Sequence, residues 1–363
     1  MKVVHLLKVT GVGGAEQHLL TLLPSLRERG IDARVLSLDA GADSARFHAR
    51  LDDHDIPWRR VHCGSDVSPR LAARVIRAVG AERPDLLHTH MVHGDVYGSL
   101  AAHALRVPFV STRHNDDRYL LGPFRYVDRA AMHSVRTIIA ISDAVRLFHV
   151  RSRLPAEKLE TIHYGLDTIP ETPSELRPEE AGIPAGAPLV LAIGRLIAQK
   201  DHATMLEAFA RVLQSQPDAR LAILGWGPLD ARIRERARSL ELADSVLVLG
   251  RVEPRDWLAR ADVFVHTSRW EGFGIVLLEA MLASLPVVAT RVSAIPEIVA
   301  DGETGVLAPA GDSAAIAAHL SALLGDAERR RVLGANGLRR AHEQFSVARM
   351  TGRTLAVYER ALA

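Results

Sequence analysis

Glu271-Gly-Phe-Gly-Ile-Val-Leu-Leu-Glu279 sets two carboxylates eight positions apart around a Gly-Phe-Gly turn that opens into an apolar helical run. Gly272 and Gly274 free the backbone there. Ile275 and Val276 supply N–H groups at the helix start, where aligned peptide dipoles favour an anion such as a diphosphate. Glu271 precedes the helix and can accept hydrogen bonds from hydroxyls. Glu279, two turns in, is a carboxylate on an otherwise apolar helix and needs a partner. Helix capping accounts for Glu271 but not well for Glu279. A ligand carrying both phosphates and hydroxyls suits the combination, and a sugar nucleotide is such a ligand.

Other groups have weaker claims. Gly194-Arg195-Leu-Ile-Ala-Gln-Lys200-Asp201 places two cations five apart on a loop, where a planar fork and a point charge can converge on one diphosphate. A solvated loop is the plain alternative, and position at a strand end favours binding. Gly11-Val-Gly-Gly14-Ala-Glu16 lets the backbone approach a phosphate or sugar, or simply makes a tight turn. With Glu at position 16 it fails the dinucleotide fingerprint. His114 ends a strand and can bind a hydroxyl or move a proton. His88-Thr-His90 can put two imidazoles on one strand face, but with no third ligand in sight the expectation is packed or hydrogen-bonded histidines and no metal site. Asp53-His-Asp55 has a metal-diphosphate spacing but ends an acidic helical run, so it reads as surface.

These groups need strand ends to hold them. In the first half the apolar pattern predicts strands at Val3–Leu7, Ala33–Leu38, Trp58–His62, Leu86–His90, Phe109–His114 and Thr137–Ile141. Helices are expected at Ala15–Arg29, Pro69–Ala81, Val96–Leu105 and Asp143–Arg153. Short apolar strands without alternation, separated by amphipathic helices, indicate a parallel sheet covered on both faces. Five prolines between Ile169 and Pro188 mark a linker. The grammar then restarts, with strands at Leu189–Ile193, Arg220–Leu224, Val246–Leu249, Val263–Thr267, Pro286–Ala289 and Gly305–Leu307. Helices lie between them, Ala203–Gln214 and Ile275–Ala283 the clearest, and Val347–Leu362 reads as one more. The expected organisation is a first domain at 1–168, a linker at 169–187, a second domain at 188–345 and a final helix at 346–363. Two doubly wound domains would face a cleft between the carboxyl ends of their sheets.

Bulk composition sets the remaining bounds. With 48% hydrophobic and 24% charged residues the chain is ordinary globular material, and its net charge of +2 argues against a nucleic-acid binder. Residues 1–168 carry +4 and the remainder −2, a bias compatible with peripheral association at the inner face of a membrane, or with a scattered solvated surface. The single Cys63 excludes an intrachain disulfide. No signal-peptide pattern or 18-residue apolar run is visible, so the expected location is cytoplasmic.

On its motifs, almost the whole chain resembles a retaining glycosyltransferase of the GT-B type, family 4. The motifs are Gly13-Gly14-Ala-Glu16, Thr112-Arg-His114, Gly165-Leu-Asp167, Gly194-Arg195 with Lys200, Gly225-Trp-Gly227-Pro228, and Glu271 to Glu279 followed by Pro286-Val-Val-Ala and Pro296-Glu297. The resemblance implies an α/β GT-B fold of two Rossmann-like domains, the last helix crossing back onto the first. It implies an NDP-sugar donor, no cofactor and no divalent metal. Arg195 and Lys200 would hold the diphosphate, Glu271 the sugar hydroxyls with Phe273 and Gly274 beside them, and Glu279 the ribose. Backbone near Val252 and Glu253 would meet the base. Gly13 and Gly14 would approach the donor from the first domain, and His114 would line the sugar and acceptor side. His114, Arg195, Lys200 and Glu271 are then the catalytic set. The acceptor would be a glycan or a lipid-linked hydroxyl in cell-envelope glycan, glycolipid or polysaccharide synthesis, with the loop Asn115–Pro123 as its candidate contact. One departure stands out: the family often has Asn-Gly-Val-Asp where this chain has Tyr164-Gly165-Leu166-Asp167, which removes an amide donor.

Bond cleavage at the anomeric carbon leaves negative charge on the departing diphosphate, which Arg195, Lys200 and the helix at Ile275 would stabilise. For a retaining enzyme of this type the leaving phosphate can itself take the acceptor proton, so no nucleophilic carboxylate is assigned. A sugar-nucleotide epimerase or hydrolase, or a non-catalytic nucleotide-sugar sensor, is the competing reading. A dinucleotide-dependent oxidoreductase is the weakest, given the failed glycine fingerprint.

Overall fold

Runs such as Val3-Val-His-Leu-Leu7 and Leu189-Val-Leu-Ala-Ile193 bury nearly every side chain, as strands covered on both faces must. In the computed structural model they form the centres of two parallel sheets. The structure describes residues 1–9, 11–39, 44–63, 68–169 and 172–363, the Arg118 side chain apart. The chain divides into two compact units, Met1–Gly165 with Ser346–Ala363, and Leu166–Phe345.

The first unit holds strands β1 (Lys2–Lys8), β2 (Asp32–Asp39), β3 (Trp58–His62), β4 (Leu86–His90), β5 (Phe109–Arg113), β6 (Ile138–Ala140) and β7 (Leu159–Thr161), in the order β3-β2-β1-β4-β5-β6-β7. Its helices are α1 (Gly14–Glu28), α2 (Ala45–Asp53), α3 (Pro69–Glu82), α4 (Met91–Leu105), α5 (Phe124–Ala131), α6 (Asp143–Arg151) and, from the far end of the chain, α14 (Val347–Leu362). The two-residue period of β1 sends Val3 and Leu7 into a core shared with α1 and α14, and Val4 and Leu6 into the opposite core with α3 and α4. Met350, Val357, Tyr358 and Ala361, spaced at helical intervals, give α14 its buried stripe in the first of these cores.

The second unit repeats the scheme with β8 (Leu189–Ile193), β9 (Arg220–Leu224), β10 (Val246–Val248), β11 (Val263–His266), β12 (Val287–Thr290) and β13 (Gly305–Ala308), in the order β10-β9-β8-β11-β12-β13. Helices α7 (His202–Val212), α8 (Asp230–Ser239), α9 (Arg255–Arg260), α10 (Ile275–Leu282), α11 (Ile295–Ile298), α12 (Ser313–Leu324) and α13 (Ala327–Gln344) cover it. The proline-rich stretch is tied to α9: Ser174 N–H donates to Asp256, and the Trp257 indole to the Leu176 carbonyl at 2.9 Å.

In each sheet the strand order reverses once, between β1 and β4 and between β8 and β11. Open α/β sheets take ligands at the carboxyl ends of strands flanking such a point. Among the described residues no helix is long and apolar enough to cross a membrane.

Strand β7 (Leu159–Thr161) is not among the strands the sequence predicts, and two helices also differ from the expectation. Helix α4 starts at Met91, directly off β4, rather than at Val96, with Met91 itself at φ 61°. The early turn contains Asp95, which looks like a breaker but points inward to the Arg113 guanidinium, 3.1 Å away. Helix α5 was not anticipated because its pattern is inverted: of its eight residues only Asp128 is buried.

Candidate active site

In the second unit, β8 ends in Gly194 and Arg195, a tight 3-10 turn spans Ala198–Lys200, and β11 runs out through Thr267 and Ser268 to Glu271. The two loops are stitched together. Thr267 Oγ1 donates to the Lys200 carbonyl at 2.8 Å, Gln199 Nε2 to the Trp270 carbonyl at 2.9 Å, and Arg269 pairs with Asp201 at 3.0 Å. Asp201 takes the left-handed conformation (φ 48°) that ends the turn and begins α7.

This frame brings Lys200 Nζ to 2.5 Å from Glu271 Oε2. The same oxygen lies 3.1 Å from His266 Nε2 and 3.1 Å from Ser268 Oγ, and these two are 3.0 Å apart. Burial alone would raise the Glu271 pKa. The Lys200 charge and the His266 hydrogen bond outweigh it and hold the carboxyl well below the usual carboxylate range. His266 is pushed down by burial and by Lys200, so it sits neutral beside an ionised Glu271. The cluster therefore presents an ammonium and a carboxylate side by side, the first suited to phosphate and the second to hydroxyls.

Gly274 caps α10 at φ 94° and ψ 65°, a conformation glycine adopts without strain. A Cβ there would stand 3.1 Å from Leu277 Cδ1 and 3.2 Å from Glu271 Cγ. The turn thus places Ile275 and Val276, the first two residues of α10 and both half-buried, directly after Gly274, with their N–H groups outside intrahelical pairing. Glu279 is buried one helical turn further in. The Phe273 ring packs edge-on against Phe345 at 5.9 Å and is buried, so this residue offers a ligand its backbone only.

The neighbouring strand ends complete the surface. Arg195 is exposed. Gly225 N–H donates to the Gly250 carbonyl at 2.7 Å, and a Cβ on Gly225 would fall 1.8 Å from the Gly194 carbonyl oxygen, so only glycine permits these loops to meet. Beside them the Arg251 guanidinium stacks 3.8 Å over the Trp226 ring. Val252 and Glu253 follow, half-buried, with the Glu253 carbonyl taken by Ser174 Oγ at 2.5 Å.

In the first unit Gly13 and Gly14 are exposed at the start of α1, and Glu16 reaches back to accept from the Gly13 N–H at 2.9 Å. That capping bond is a structural use for the residue that breaks the dinucleotide fingerprint. His114, half-buried after β5, has both ring nitrogens engaged: Nε2 with His90 Nδ1 at 3.0 Å and Nδ1 with Tyr164 OH at 2.5 Å. His90 Nε2 continues to His5 Nδ1 at 3.0 Å, and Tyr164 stacks on His18 at 4.4 Å between centroids. Burial lowers His5 and His18 to about 3, and drives His88, His90 and His114 well below the usual 6.5. All five imidazoles are neutral at physiological pH.

His5 supplies the third imidazole beside His88 and His90 that the sequence did not reveal; ligand atoms of the three lie within 4.8 Å of one another. Hydrogen bonds occupy them, however. His88 bonds Tyr358 OH at 2.6 Å and Thr112 Oγ1 at 2.7 Å, leaving His5 Nε2 as the one nitrogen of the three rings without a partner. His266, Ser268, His18, His90 and Tyr164 were missed as site residues. The alternation His266-x-Ser268 at a strand end was the available signal for the first two.

Comparison with known proteins follows the same division. Residues 12–169 match the model of Glycosyltransferase Family 4, and residues 174–340 that of Glycosyl transferases group 1. The chain is 30% identical to the alpha-maltose-1-phosphate synthase of Mycolicibacterium smegmatis, over 96% of this chain and 95% of that protein. It is 31% identical to the phosphatidyl-myo-inositol mannosyltransferase of Mycobacterium leprae, over 96% and 93%. Among solved structures it resembles Anabaena HepE in complex with UDP-glucose, with a TM-score of 0.86 and 26% identity over 99% of both chains.

Proposed function

Since the chain belongs to glycosyltransferase family 4 of the group 1 glycosyl transferases, we propose that it is a retaining, metal-independent enzyme that moves a sugar from a nucleoside-diphosphate sugar to a hydroxyl of a glycan or lipid-linked acceptor. The observation carrying this is the Lys200–Glu271 pair, braced by His266 and Ser268 and followed at once by the Gly274 cap of α10. HepE, solved with UDP-glucose, makes that donor the first to test.

The chemistry follows from charge. Lys200, Arg195 and the first N–H groups of α10 face the diphosphate and supply the positive charge that a divalent cation would otherwise bring. Glu271 is ionised, so it accepts hydrogen bonds from sugar hydroxyls and does not serve as a general acid. The bond from the anomeric carbon to the phosphate oxygen breaks, and the acceptor oxygen bonds that carbon on the same face. The acceptor proton passes to the departing phosphate. The products are a nucleoside diphosphate and a glycoside with retained configuration, and no carboxylate nucleophile is needed. By analogy with the mannosyltransferase named above, the acceptor is sought first among lipid-linked hydroxyls.

The test is a panel of sugar nucleotides, UDP-glucose first, incubated with candidate acceptors in the presence of chelator and scored for nucleoside diphosphate release. Turnover should persist in chelator and depend on acceptor. Lys200→Ala should lower it by about 100-fold or more. Failure to bind any sugar nucleotide would refute the reading, and undiminished turnover in Lys200→Ala would remove the diphosphate assignment.

A further inference from the structure

Ser174, in the proline-rich stretch, is buried and bonds both to α9 and to the loop that leads into it. Its N–H donates to Asp256 Oδ2 at 2.9 Å, and its Oγ accepts from the Asp256 N–H at 3.1 Å. Its hydroxyl proton goes to the Glu253 carbonyl at 2.5 Å. Helix α9 has Pro254 at its N-cap and no side-chain cap of its own, so the linker serine supplies the acceptor that a local Ser or Asp would otherwise provide. Capping does not explain the bond to Glu253, because a helix N-terminus lacks partners for its N–H groups and does not require a carbonyl upstream to be held.

What that bond fixes is the loop itself. At its start the Gly250 carbonyl accepts from the Gly225 N–H at 2.7 Å, and at its end Ser174 holds Glu253. Between the two anchors stand Val252 and Arg251, whose guanidinium lies 3.8 Å over the Trp226 ring. Trp226, 43% accessible, is the most exposed aromatic residue of the second unit among the described residues. Lys200 and Glu271 lie beyond the ends of β8 and β11, and the sheet order puts β9 and then β10 on the side of β8 away from β11. A nucleoside diphosphate with its phosphates at Lys200 that extends over that side meets a stacked aromatic–guanidinium pair, which suits the flat face of a base.

We propose that Ser174 is a positioning residue for the nucleobase of the donor: without touching the ligand, it fixes the loop from Gly250 to Pro254 so that Arg251 and Val252 can read the base. Removing its hydroxyl leaves the loop anchored at Gly250 only, and the ordering that Ser174 supplies in advance must then be met when the ligand binds. The two hydrogen bonds of Oγ set the scale, about tenfold in affinity. This role rests on the proposed sugar-nucleotide donor and narrows which part of it the linker helps to discriminate.

Calorimetric titration of the full chain with UDP, ADP and GDP tests it. Wild type should prefer one of the three by about tenfold or more. Ser174→Ala should bind that nucleotide about tenfold less tightly and the other two nearly as before, and should raise the donor KM with kcat unchanged. Ser174→Thr, which keeps the hydroxyl, should stay within about twofold of wild type. In an Arg251→Ala background the Ser174→Ala change should cost little more, since both act on one loop. Binding of none of the three nucleotides would refute the donor itself. With nucleotide bound, no base preference in wild type, undiminished affinity or an equal loss for all three in Ser174→Ala, or the same cost of that change in both backgrounds would overturn the role of Ser174 and leave the donor in place.

Discussion

Lowering the pH should unfold the first unit through its histidines. His5 and His18 are held at about 3 by burial, with His18 depressing His5 further, and burial keeps His88, His90 and His114 well below 6.5. In the unfolded chain each imidazole binds a proton once the pH drops below about 6.5. The unfolded state then holds more protons than the folded one, so stability is fully present above 6.5 and falls as the pH descends towards the folded values. At pH 5 a shift from 6.5 to about 3 costs about 2 kcal/mol, or about 4 kcal/mol for His5 and His18 together. Asp95 works the other way. Burial raises it to about 6, so the folded state protonates first and regains about 1 kcal/mol at pH 5. The net loss from pH 8 to pH 5 is about 3 kcal/mol before His88, His90 and His114 add theirs in the same direction, a large part of an ordinary domain's ~5–15 kcal/mol. Urea unfolding followed by circular dichroism at pH 8, 6.5, 5.5 and 5 measures it. His5→Asn, compared with its own value at pH 8, should lose about 2 kcal/mol less than wild type at pH 5. A stability unchanged from pH 8 to pH 5, or an equal loss in His5→Asn, would show that these rings are not buried neutral bases.

Two further substitutions probe the frames around the sites. Gly274→Ala forces a Cβ into a left-handed position against Leu277 and Glu271, and should cost about 1–3 kcal/mol in urea unfolding while weakening donor binding by calorimetry; wild-type values for both would contradict the cap geometry. Arg113→Met leaves Asp95 and Asp128 buried without their shared cation and should cost about 3–5 kcal/mol, which Asp95→Asn and Asp128→Asn added to it should largely restore; no recovery in the triple variant would place the cost in lost packing instead.

The parts of the fold legible in the sequence were those with a local cause. Trp58–His62, Leu86–His90, Leu189–Ile193 and Arg220–Leu224 were bounded to the residue because apolar runs between turn residues admit one reading. The start of α4 was missed because Asp95 looks like a breaker until Arg113, 18 positions on, is known to receive it. Helix α5 was missed because its apolar residues face outward, and periodicity arguments assume the reverse. The site shows the same limit. Gly274, Glu271 and Lys200 could be singled out from type and spacing. That one oxygen of Glu271 gathers Lys200, His266 and Ser268 depends on β8 and β11 lying side by side, a consequence of strand order that one-dimensional pattern does not contain.

Tyr164, the departure from the usual asparagine, shows what that order adds. Its hydroxyl ends a chain running from His5 through His90 and His114, and a single atom sets the direction of that chain. His5 Nε2 is buried without a hydrogen-bond partner. A buried orphan N–H is rarer and costlier than a buried orphan lone pair, so the His5 proton belongs on Nδ1, donating to His90 Nε2. His90 then donates from Nδ1 to His114 Nε2, and His114 from Nδ1 to the Tyr164 oxygen. Both nitrogens of His114 are thereby committed, and a substrate hydroxyl can reach its proton only by displacing Tyr164. Tyr164→Phe keeps the ring on His18 and removes the acceptor, leaving a buried N–H unpaired at a cost of about 1–3 kcal/mol in urea unfolding. Nitrogen-15 shifts of the imidazoles read the tautomer directly, and His114 should carry its proton on Nδ1 in the wild type. A proton on Nε2 of His114, or a Tyr164→Phe variant as stable as wild type, would reverse the chain and leave Tyr164 as the donor.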